Sequence, residues 1–198
     1  MSALALVVVA AGSGTRFGGP KQWAPLAARP LLAHCLDALG LAQPEADRVV
    51  VLPEELLESA SWHEVNASLA QAWRAVAGGA TRALSGRSGV EAARGEIVAV
   101  HDGARPFPPV DALREAVALL REKPALAGAI VCAPVTDTLK QLDDAGLITG
   151  TIDRARCARA ETPQVCRRER LLNALARPGT EDCTDEARVA AEAWLRRA

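Results

Sequence analysis

Short apolar runs recur along the chain, and they are separated by longer segments in which polar and apolar residues mix. The runs cover residues 4–10, 48–52, 96–100 and 127–133, and most of their side chains are aliphatic. Strands that are buried on both faces form continuous apolar runs of this kind. We therefore predict four strands in an α/β fold, a Rossmann-like three-layer sandwich with a mostly parallel central sheet.

Two of the intervening segments carry apolar residues at helical spacing. One stripe follows Pro30 and the other follows Pro109, and proline is favoured in the first turn of a helix. The stripes comprise Leu31, Leu32, Cys35, Leu36 and Leu39, and then Val110, Leu113, Val117 and Leu120. We predict a helix at each stripe, a less regular helix over much of residues 54–77, and a loop at residues 78–82.

Residues 136–159 interrupt the succession of strands and helices. Hydrophobic residues alternate with polar ones on either side of an Asp-Ala-Gly turn at residues 144–146, which predicts a two-stranded hairpin. An isolated hairpin is marginally stable in water, so we expect it to pack against a second subunit. The sequence thus predicts a single domain over residues 1–198 with a dimerisation arm at about 136–159.

The charges of the chain are nearly balanced, with 23 basic and 24 acidic residues and a formal net charge of -1. This balance does not favour nucleic acid or an anionic membrane as a partner. The first apolar run lacks a basic segment before it and is too short to cross a bilayer. The five cysteines form no Cys-x-x-Cys pair, so we expect no disulfide framework and no structural zinc, and a cytoplasmic location.

The loop after the first apolar run carries four glycines and two cations, Arg16 and Lys21, and no acid. Its sequence at residues 10–21, AAGSGTRFGGPK, lacks the Ser or Thr that follows the lysine of a Walker A loop, and Phe17 replaces the third glycine of the dinucleotide fingerprint. An ordinary glycine-rich turn remains one interpretation. We favour a site for a nucleoside triphosphate, because glycines let backbone N–H groups approach phosphate oxygens and both cations complement them.

A second polar loop, HDGARP at residues 101–106, follows the apolar run at 96–100. The carboxyl ends of parallel strands form the edge of the sheet at which ligands bind, so we expect both loops at that edge. Asp102 could orient substrate hydroxyl groups or help to hold Mg²⁺, or it could only cap a loop. His101 is interpreted as a structural residue.

The glycine loop is similar to the signature of nucleotidyltransferases that activate sugar and polyol phosphates. Further matching stretches follow in the same order: GGATRALS at 78–85, HDGARP at 101–106, PVTDTLK at 134–140, DRARCARAETPQ at 153–164 and TDEA at 184–187. Together they closely resemble the 2-C-methyl-D-erythritol 4-phosphate cytidylyltransferase family over nearly the whole chain. The resemblance implies a fold of the nucleotide-diphospho-sugar transferase type, and transfer of CMP from CTP to that polyol phosphate with release of pyrophosphate.

The resemblance also implies roles for individual residues. The implied catalytic residues are Arg16, Lys21 and Arg154. The implied nucleotide-binding residues are Ala10, Ala11, Gly12, Gly79, Ser85 and Asp102. The implied substrate-binding residues are Arg105, Thr138, Arg154 and Thr162. Mg²⁺ is the implied cofactor, held mainly by the CTP phosphates with Asp102 as a candidate ligand, and a homodimer is implied in which the arm shares the active site of the neighbouring subunit.

The chain departs from the family pattern at two places. Ala80 stands where the family often has an acid, and no lysine follows Lys140 to serve as the family's late substrate-binding lysine. Either the protein is short or an internal stretch is absent from this sequence, and residues 191–198 resemble the family's closing helix, which favours an absent stretch. The arginines around the last motifs are interpreted as solvated or subunit-contact charges: Arg156, Arg159, Arg167, Arg168 and Arg170.

Three other functions are compatible with the same motifs. The acceptor could be another polyol phosphate such as ribitol 5-phosphate. A guanylyltransferase or uridylyltransferase would resemble the first loop, but it would not be expected to share the stretches HDGARP and VTDT. A non-catalytic nucleotide-binding or regulatory protein is the third alternative, and retention of Arg16, Lys21 and Asp102 counts against it.

Overall fold

A computed structural model describes residues 3–177, apart from the side chain of Arg16. The predicted TDEA motif at 184–187 and the closing helix at 191–198 lie outside the described residues. The strands are β1 Leu4–Val9, β2 Pro25–Leu26, β3 Arg29–Pro30, β4 Asp47–Leu52, β5 Arg74–Ala77, β6 Ile97–Asp102, β7 Gly128–Pro134, β8 Leu139–Leu142, β9 Ile148–Ile152 and β10 Ala158–Arg167. The α-helices are α1 Leu31–Ala42, α2 Ala60–Ser68, α3 Arg82–Ala92, α4 Val110–Glu122 and α5 Arg168–Leu175.

Six strands form the central sheet in the order β5-β4-β1-β6-β10-β7. The pairs β5–β4, β4–β1 and β1–β6 are parallel, while β10 runs antiparallel to both β6 and β7. The strand order changes direction at β1, since β4 and β5 lie on one side of it and β6 on the other. The predicted mostly parallel sheet is confirmed, and such a change of direction opens a crevice at the carboxyl edge.

Helices cover both faces of the sheet, which explains the continuous apolar runs. Along β1, Leu6 and Val8 face one core with α1, α2 and α4, while Val7 faces the other with α3 and α5. All three side chains are at most 1% exposed. A strand that is buried on both faces has no solvent face on which polar residues would be stable, so the predicted three-layer sandwich is confirmed.

One predicted element is wrong, and the predicted arm overlaps the start of a strand. The helix predicted over much of 54–77 is limited to a short turn at Glu54–Leu56 and to α2, and its last part is the edge strand β5. β5 has only four residues and pairs with one neighbouring strand. A strand of this length is too short to show an alternation of polar and apolar residues. The predicted arm ends at 159, but β10 already begins at Ala158 and continues into the centre of the sheet.

The arm contains the predicted hairpin, in which β8 and β9 pair with each other. Gly146 in its turn has a φ of 80°, and the Asp143 carboxylate accepts hydrogen bonds from the N–H groups of Ala145 and Leu147 at 3.0 and 2.8 Å. Several large apolar side chains of the arm are exposed, namely Leu142, Leu147, Ile148 and Ile152. The described part of the chain leaves these side chains open to solvent.

Three arginines at the end of β10 and the start of α5 correct a further prediction. Arg167 donates to the carbonyls of Leu120 and Leu126 at 2.5 and 3.0 Å. Arg168 donates to carbonyls at the end of α3, and Arg170 to the carbonyls of the loop after α4. These side chains are therefore not simply solvated or subunit-contact charges, because they cap carbonyl groups within the same chain. Arg156 and Arg159 are exposed, as expected.

Candidate active site

A cleft of about 930 Å³ opens at the carboxyl edge of the sheet, beside β1 and β6. Its walls are the glycine loop after β1, the segment that joins β5 to α3, and the end of β6. The lining residues are 9–15, 17, 21–22, 79–82, 85, 102 and 104–105. Both loops that the sequence assigns to the edge of the sheet thus meet in one cleft of a size that holds small ligands.

The glycine loop folds back on itself around Gly14. The carbonyl of Gly14 accepts hydrogen bonds from the N–H groups of Phe17 and Gly19 at 2.8 and 3.2 Å. Gly14 has a φ of 65°, and a Cβ there would lie 1.8 Å from the carbonyl oxygen of Gly19. Only glycine fits this position, since both the backbone conformation and the close approach exclude a side chain.

Gln22 fixes the start of the glycine loop and is not among the predicted site residues. Its side-chain amide donates to the carbonyl of Ala10 at 2.7 Å and to that of Gly12 at 2.9 Å. Gln22 is 4% exposed, and the N–H of Ala10 donates to the carbonyl of Val51 at 2.8 Å. The backbone of two predicted nucleotide-binding residues is therefore held from the side of the core. The sequence feature that could have indicated this role is the position of a polar residue directly after Lys21 in the loop motif.

Of the two predicted cations of this loop, the structure describes Lys21 in full and only the backbone of Arg16. Lys21 lines the cleft, and its ammonium nitrogen lies 5.9 Å from the centre of the Phe17 ring. The backbone of Arg16 belongs to the short helical turn Thr15–Phe17 in the loop, and its side chain lies outside what is described. A compact ammonium group over an aromatic face is stabilised there.

Gly79 and Ser85 face each other across the start of α3. The Ser85 hydroxyl donates to the carbonyl of Gly79 at 3.2 Å, and its oxygen accepts from the N–H of the same residue at 3.1 Å. Thr81 caps the helix by accepting from the N–H of Leu84 at 3.2 Å. Ala80 adds no charge here, so Gly79, Ala80 and Ser85 offer the cleft only backbone groups and one hydroxyl. Such groups can read the edge of a base.

Asp102 lies between two arginines at the end of β6. Its carboxylate contacts a guanidinium nitrogen of Arg82 at 3.0 Å and one of Arg105 at 3.3 Å. All three residues line the cleft, and Asp102 provides the one carboxylate among the lining residues that the structure describes. Asp102 and Arg105 are predicted site residues, whereas Arg82 is not, although it belongs to the GGATR stretch. The cleft therefore carries an excess of positive charge, which suits a polyanion.

His101 and Thr162 lie behind the cleft instead of in its lining. His101 is 1% exposed and Thr162 is 6% exposed. The Nδ1 atom of His101 lies 2.9 Å from the Thr162 hydroxyl, and its Nε2 atom lies 3.1 Å from the carbonyl of Arg105. Burial lowers the pKa of His101 below its ordinary value, so the imidazole is neutral at neutral pH.

Thr138 and Arg154 are exposed on the arm and do not line the cleft of their own chain. A guanidinium nitrogen of Arg154 donates to the carbonyl of Thr136. Of the predicted site residues, the single chain brings together at the cleft Ala10, Ala11, Gly12, Lys21, Gly79, Ser85, Asp102 and Arg105.

Residues 3–177 contain no cluster of three or more His, Cys, Asp or Glu side chains that could form a metal site by themselves. None of the helices in that range has the length and the apolar content to cross a membrane.

The fold and the cleft together place the chain among the nucleotide-binding α/β transferases, in which phosphates lie against N–H groups at the carboxyl edge of the sheet. A family model described as 2-C-methyl-D-erythritol 4-phosphate cytidylyltransferase matches residues 4–196. The chain belongs to this family.

Curated relatives and solved structures agree with the family. The chain is 44% identical to a 2-C-methyl-D-erythritol 4-phosphate cytidylyltransferase of Stenotrophomonas maltophilia, with 94% of this chain and 82% of the relative covered. It is 39% identical to the bifunctional enzyme IspD/IspF of Rhodopseudomonas palustris, where 96% of this chain matches 48% of that longer protein. The chain thus spans about half the length of that relative.

The structure of 4-diphosphocytidyl-2C-methyl-D-erythritol synthase from Anaerococcus prevotii superposes with a TM-score of 0.81 at 23% identity, covering 98% of this chain and 84% of that one. This similarity supports the fold.

Proposed function

We propose that this chain transfers CMP from CTP to 2-C-methyl-D-erythritol 4-phosphate and releases pyrophosphate. The observation that carries the proposal is the cleft itself: a chain of this family has its glycine loop, Lys21 and the Gly79–Ser85 wall around one opening. The acceptor phosphate is already an anion, so the reaction needs no strong general base. It needs two anions to be held together and the charge that develops on the attacked phosphate group to be stabilised.

Each wall of the cleft would do one part of this work. Backbone groups of Ala10, Ala11 and Gly12 would contact the nucleotide, while Arg16 and Lys21 would stabilise the charge on the triphosphate. Gly79 and Ser85 would read the cytosine edge. Removing a preorganised charge-stabilising group costs roughly 3–4 kcal/mol of transition-state stabilisation, so loss of either cation should slow turnover by orders of magnitude.

Mg²⁺ is the proposed cofactor. The donor set fits an ion that is carried mainly by the CTP phosphates, because the described lining offers one carboxylate, Asp102, and Mg²⁺ commonly binds through few carboxylates together with substrate phosphates. When bound, the ion would neutralise phosphate charge during nucleotidyl transfer. Arg82 and Arg105 hold the Asp102 carboxylate ready at the wall.

A cytoplasmic homodimer with shared active sites is the proposed assembly. Its support is the exposed apolar surface of the arm, formed by Leu142, Leu147, Ile148 and Ile152, and the fact that the lining of the cleft includes no residue of the arm. In the shared site, Thr138 and Arg154 from the arm of one subunit would hold the acceptor phosphate beside the CTP of the other. A guanidinium group suits a phosphate monoester. A reducing compartment suits the free thiol of the exposed Cys132.

Pyrophosphate release by the purified protein tests the proposed reaction. Each of the four nucleoside triphosphates would be offered with Mg²⁺ against methylerythritol phosphate and against ribitol phosphate, with Arg16→Ala as the control. We expect release only with CTP and methylerythritol phosphate, and its loss in the control. Turnover with ribitol phosphate would reassign the acceptor, and CTP binding without any turnover would support a binding-only protein instead.

A further inference from the structure

One buried side chain joins the two ends of the glycine loop. Gln22 belongs to the short helical turn Lys21–Trp23, where the loop ends, and it is 4% exposed. Its side-chain nitrogen lies 2.7 Å from the carbonyl oxygen of Ala10 and 2.9 Å from that of Gly12, where the loop starts. A single amide group therefore connects the end of the loop to two backbone groups that come before the loop turns.

The orientation of the Gln22 amide follows from these two partners. A backbone carbonyl can only accept a hydrogen bond, so the NH₂ group faces both carbonyls and each of its hydrogens has an acceptor. The amide oxygen, Oε1, lies on the other side of the group. An ionised carboxylate of the same shape could not replace the amide, because it has no hydrogen to donate to the carbonyl oxygens.

The two hydrogen bonds also orient two peptide groups of the loop. In a planar trans peptide, the C=O and the N–H that follows it point in opposite directions. Because the carbonyls of Ala10 and Gly12 point towards Gln22, the N–H groups of Ala11 and Ser13 point away from it. Among the described residues, no hydrogen bond takes up either N–H group. Ala11 and Ser13 both line the cleft, so two backbone donors are available to a ligand there.

The turn that carries Gln22 is fastened to the helix α1. Nε2 of His34, which lies in α1, is 2.8 Å from the carbonyl oxygen of Leu26, shortly after the turn. Lys21 precedes Gln22 in the same turn and lines the cleft. A glutamine that is held in this way also fixes the place of Lys21 relative to the N–H donors on the other side of the loop.

We propose that Gln22 is a positioning residue for nucleotide binding, whose amide turns the N–H groups of Ala11 and Ser13 towards the bound nucleotide and sets their separation from Lys21. The proposal rests on the proposed function for the identity of that nucleotide. It adds the backbone of Ser13 to the binding groups that the family resemblance implies. Donors that are oriented in advance need no reorganisation when the ligand arrives, so Gln22 acts on the ligand through the backbone that it holds.

Binding of CTP with Mg²⁺ to the variant Gln22→Met measures the effect of the amide. Methionine keeps the length of the side chain and donates no hydrogen bond. We expect the Kd for CTP to rise about tenfold, because misplaced binding groups lose much of their effect. Gln71→Met makes the same change outside the cleft lining and should keep the Kd within about twofold of wild type. An unchanged Kd in Q22M would overturn the proposal.

The variant Gln22→Glu separates orientation of the backbone from direct contact with the ligand. It keeps the Oε1 atom and the shape of the side chain, and when ionised it loses both donors. We expect Q22E to lose at least as much affinity for CTP as Q22M, since the carboxylate repels the two carbonyl oxygens and the triphosphate. If Gln22 instead contacted the nucleotide through Oε1, Q22E would bind CTP as wild type does, and this result would refute the proposal.

The backbone amide signals of Ala11 and Ser13 give a measurement on the wild-type chain, which does not depend on the folding of a variant. In ¹H–¹⁵N NMR spectra, both signals should move downfield on titration with CTP and Mg²⁺, because each N–H gains an acceptor. In Q22M the two signals should differ from wild type before CTP is added, while the signals of the buried strand β4 stay in place. Stationary signals of Ala11 and Ser13 in wild type would contradict the proposal.

Turnover distinguishes a failure of this proposal from a failure of the proposed function. Wild-type protein that binds CTP with the expected amide shifts but releases no pyrophosphate would defeat the proposed reaction and leave the role of Gln22 standing. If the protein turns over, Q22M should raise the KM for CTP more than it lowers kcat, since the N–H groups bind the nucleotide in the ground state and the transition state alike. A KM equal to that of wild type would remove the role of Gln22 and leave the reaction established.

Discussion

Gly14 gives the glycine loop a positive φ, a backbone conformation that other residues rarely adopt. Gly14→Ala should raise the Kd for CTP by at least about tenfold, because a Cβ would lie 1.8 Å from the Gly19 carbonyl oxygen and the loop would have to open. Calorimetric titration of CTP measures the effect. Gly19→Ala is the matched control, since a Cβ there meets no atom within 4 Å and no positive φ is imposed. Equal affinities of both variants would contradict the role of Gly14.

The buried imidazole of His101 predicts a loss of stability in mild acid. Burial lowers its pKa in the folded protein below the ordinary value of 6.5. Below about pH 6.5 the unfolded chain therefore takes up a proton that the folded chain resists, so the free energy of unfolding falls as the pH falls. Above that pH neither state holds the proton, and this contribution to the pH dependence disappears.

Urea unfolding between about pH 5 and pH 8 measures this dependence. His101→Gln removes the titrating group, so its curve of unfolding free energy against pH should be flatter than that of wild type in the acid part. Carboxylates contribute to both curves alike, and the difference between them isolates His101. Parallel curves would show that His101 does not cause the acid loss.

At the scale of the elements, Arg167 fastens the end of α4 and the following loop to β10. Its guanidinium donates to the carbonyls of Leu120 and Leu126, so Arg167→Met leaves these groups without that donor. We expect a loss of about 2 kcal/mol in the free energy of unfolding, since hydrogen bonds to charged groups contribute about 1.5–3 kcal/mol each. Chemical denaturation gives the value.

Arg87 provides the matched control for this element. It forms an exposed i,i+4 ion pair with Glu91 at 2.8 Å, and exposed pairs of this kind contribute about 0.3–0.5 kcal/mol. Arg87→Met should therefore change the unfolding free energy by less than about 0.5 kcal/mol. A loss as large as that of the Arg167 variant would mean that the capped carbonyls are not the reason for the effect.

Elements that are buried on both faces could be predicted from the sequence, while those defined by their partners could not. β1, β4 and β6 are apolar runs whose residues are mostly buried, and composition alone identifies them. β7 is also an apolar run, although every second residue from Ile130 onward is exposed along this edge strand. β5 has partly buried residues throughout, and β10 buries Thr162 and Gln164 within the sheet. No local pattern distinguishes such polar strand residues from a loop, because their burial is decided by neighbours distant in sequence.

The candidate site divides in the same way. The glycine loop, Lys21 and Asp102 could be named from the sequence because their residue types match phosphate chemistry. Gln22 and Arg82 were missed, since a glutamine under a backbone loop and an arginine that pairs across two elements become apparent only when the contacts are known. Arg16 stays a prediction, and so do the site roles that the family resemblance implies for the other residues.

At the scale of the whole molecule, a shared site predicts that two defective chains can repair each other. Arg16→Ala removes a proposed catalytic cation from the cleft, and Arg154→Ala removes the proposed phosphate-binding group from the arm. A homodimer of either variant should therefore lack turnover. A mixed dimer joins the intact cleft of one chain to the intact arm of the other. Coexpression should therefore recover about a quarter of wild-type activity, since about half of the dimers are mixed and each has one good site.

Pyrophosphate release by the separated and the coexpressed variants gives the comparison. Arg156→Ala, in the same short turn as Arg154, should keep turnover and serves as the control for disturbance of the arm. Absence of recovery in the coexpressed pair, or sedimentation of the wild-type chain as a monomer, would refute the shared site.

The place of β10 in the sheet also governs the order in which a growing chain can complete its fold. β10 lies between β6 and β7 although it follows both in sequence, so neither can take its final neighbour until residue 167 has left the ribosome. At about 5–20 residues per second, the unpaired edges persist for seconds, and unpaired edges invite association and chaperone binding. Thr162 arrives with this strand, so its hydrogen bonds to His101 and Asp102 form among the last contacts of the nascent protein.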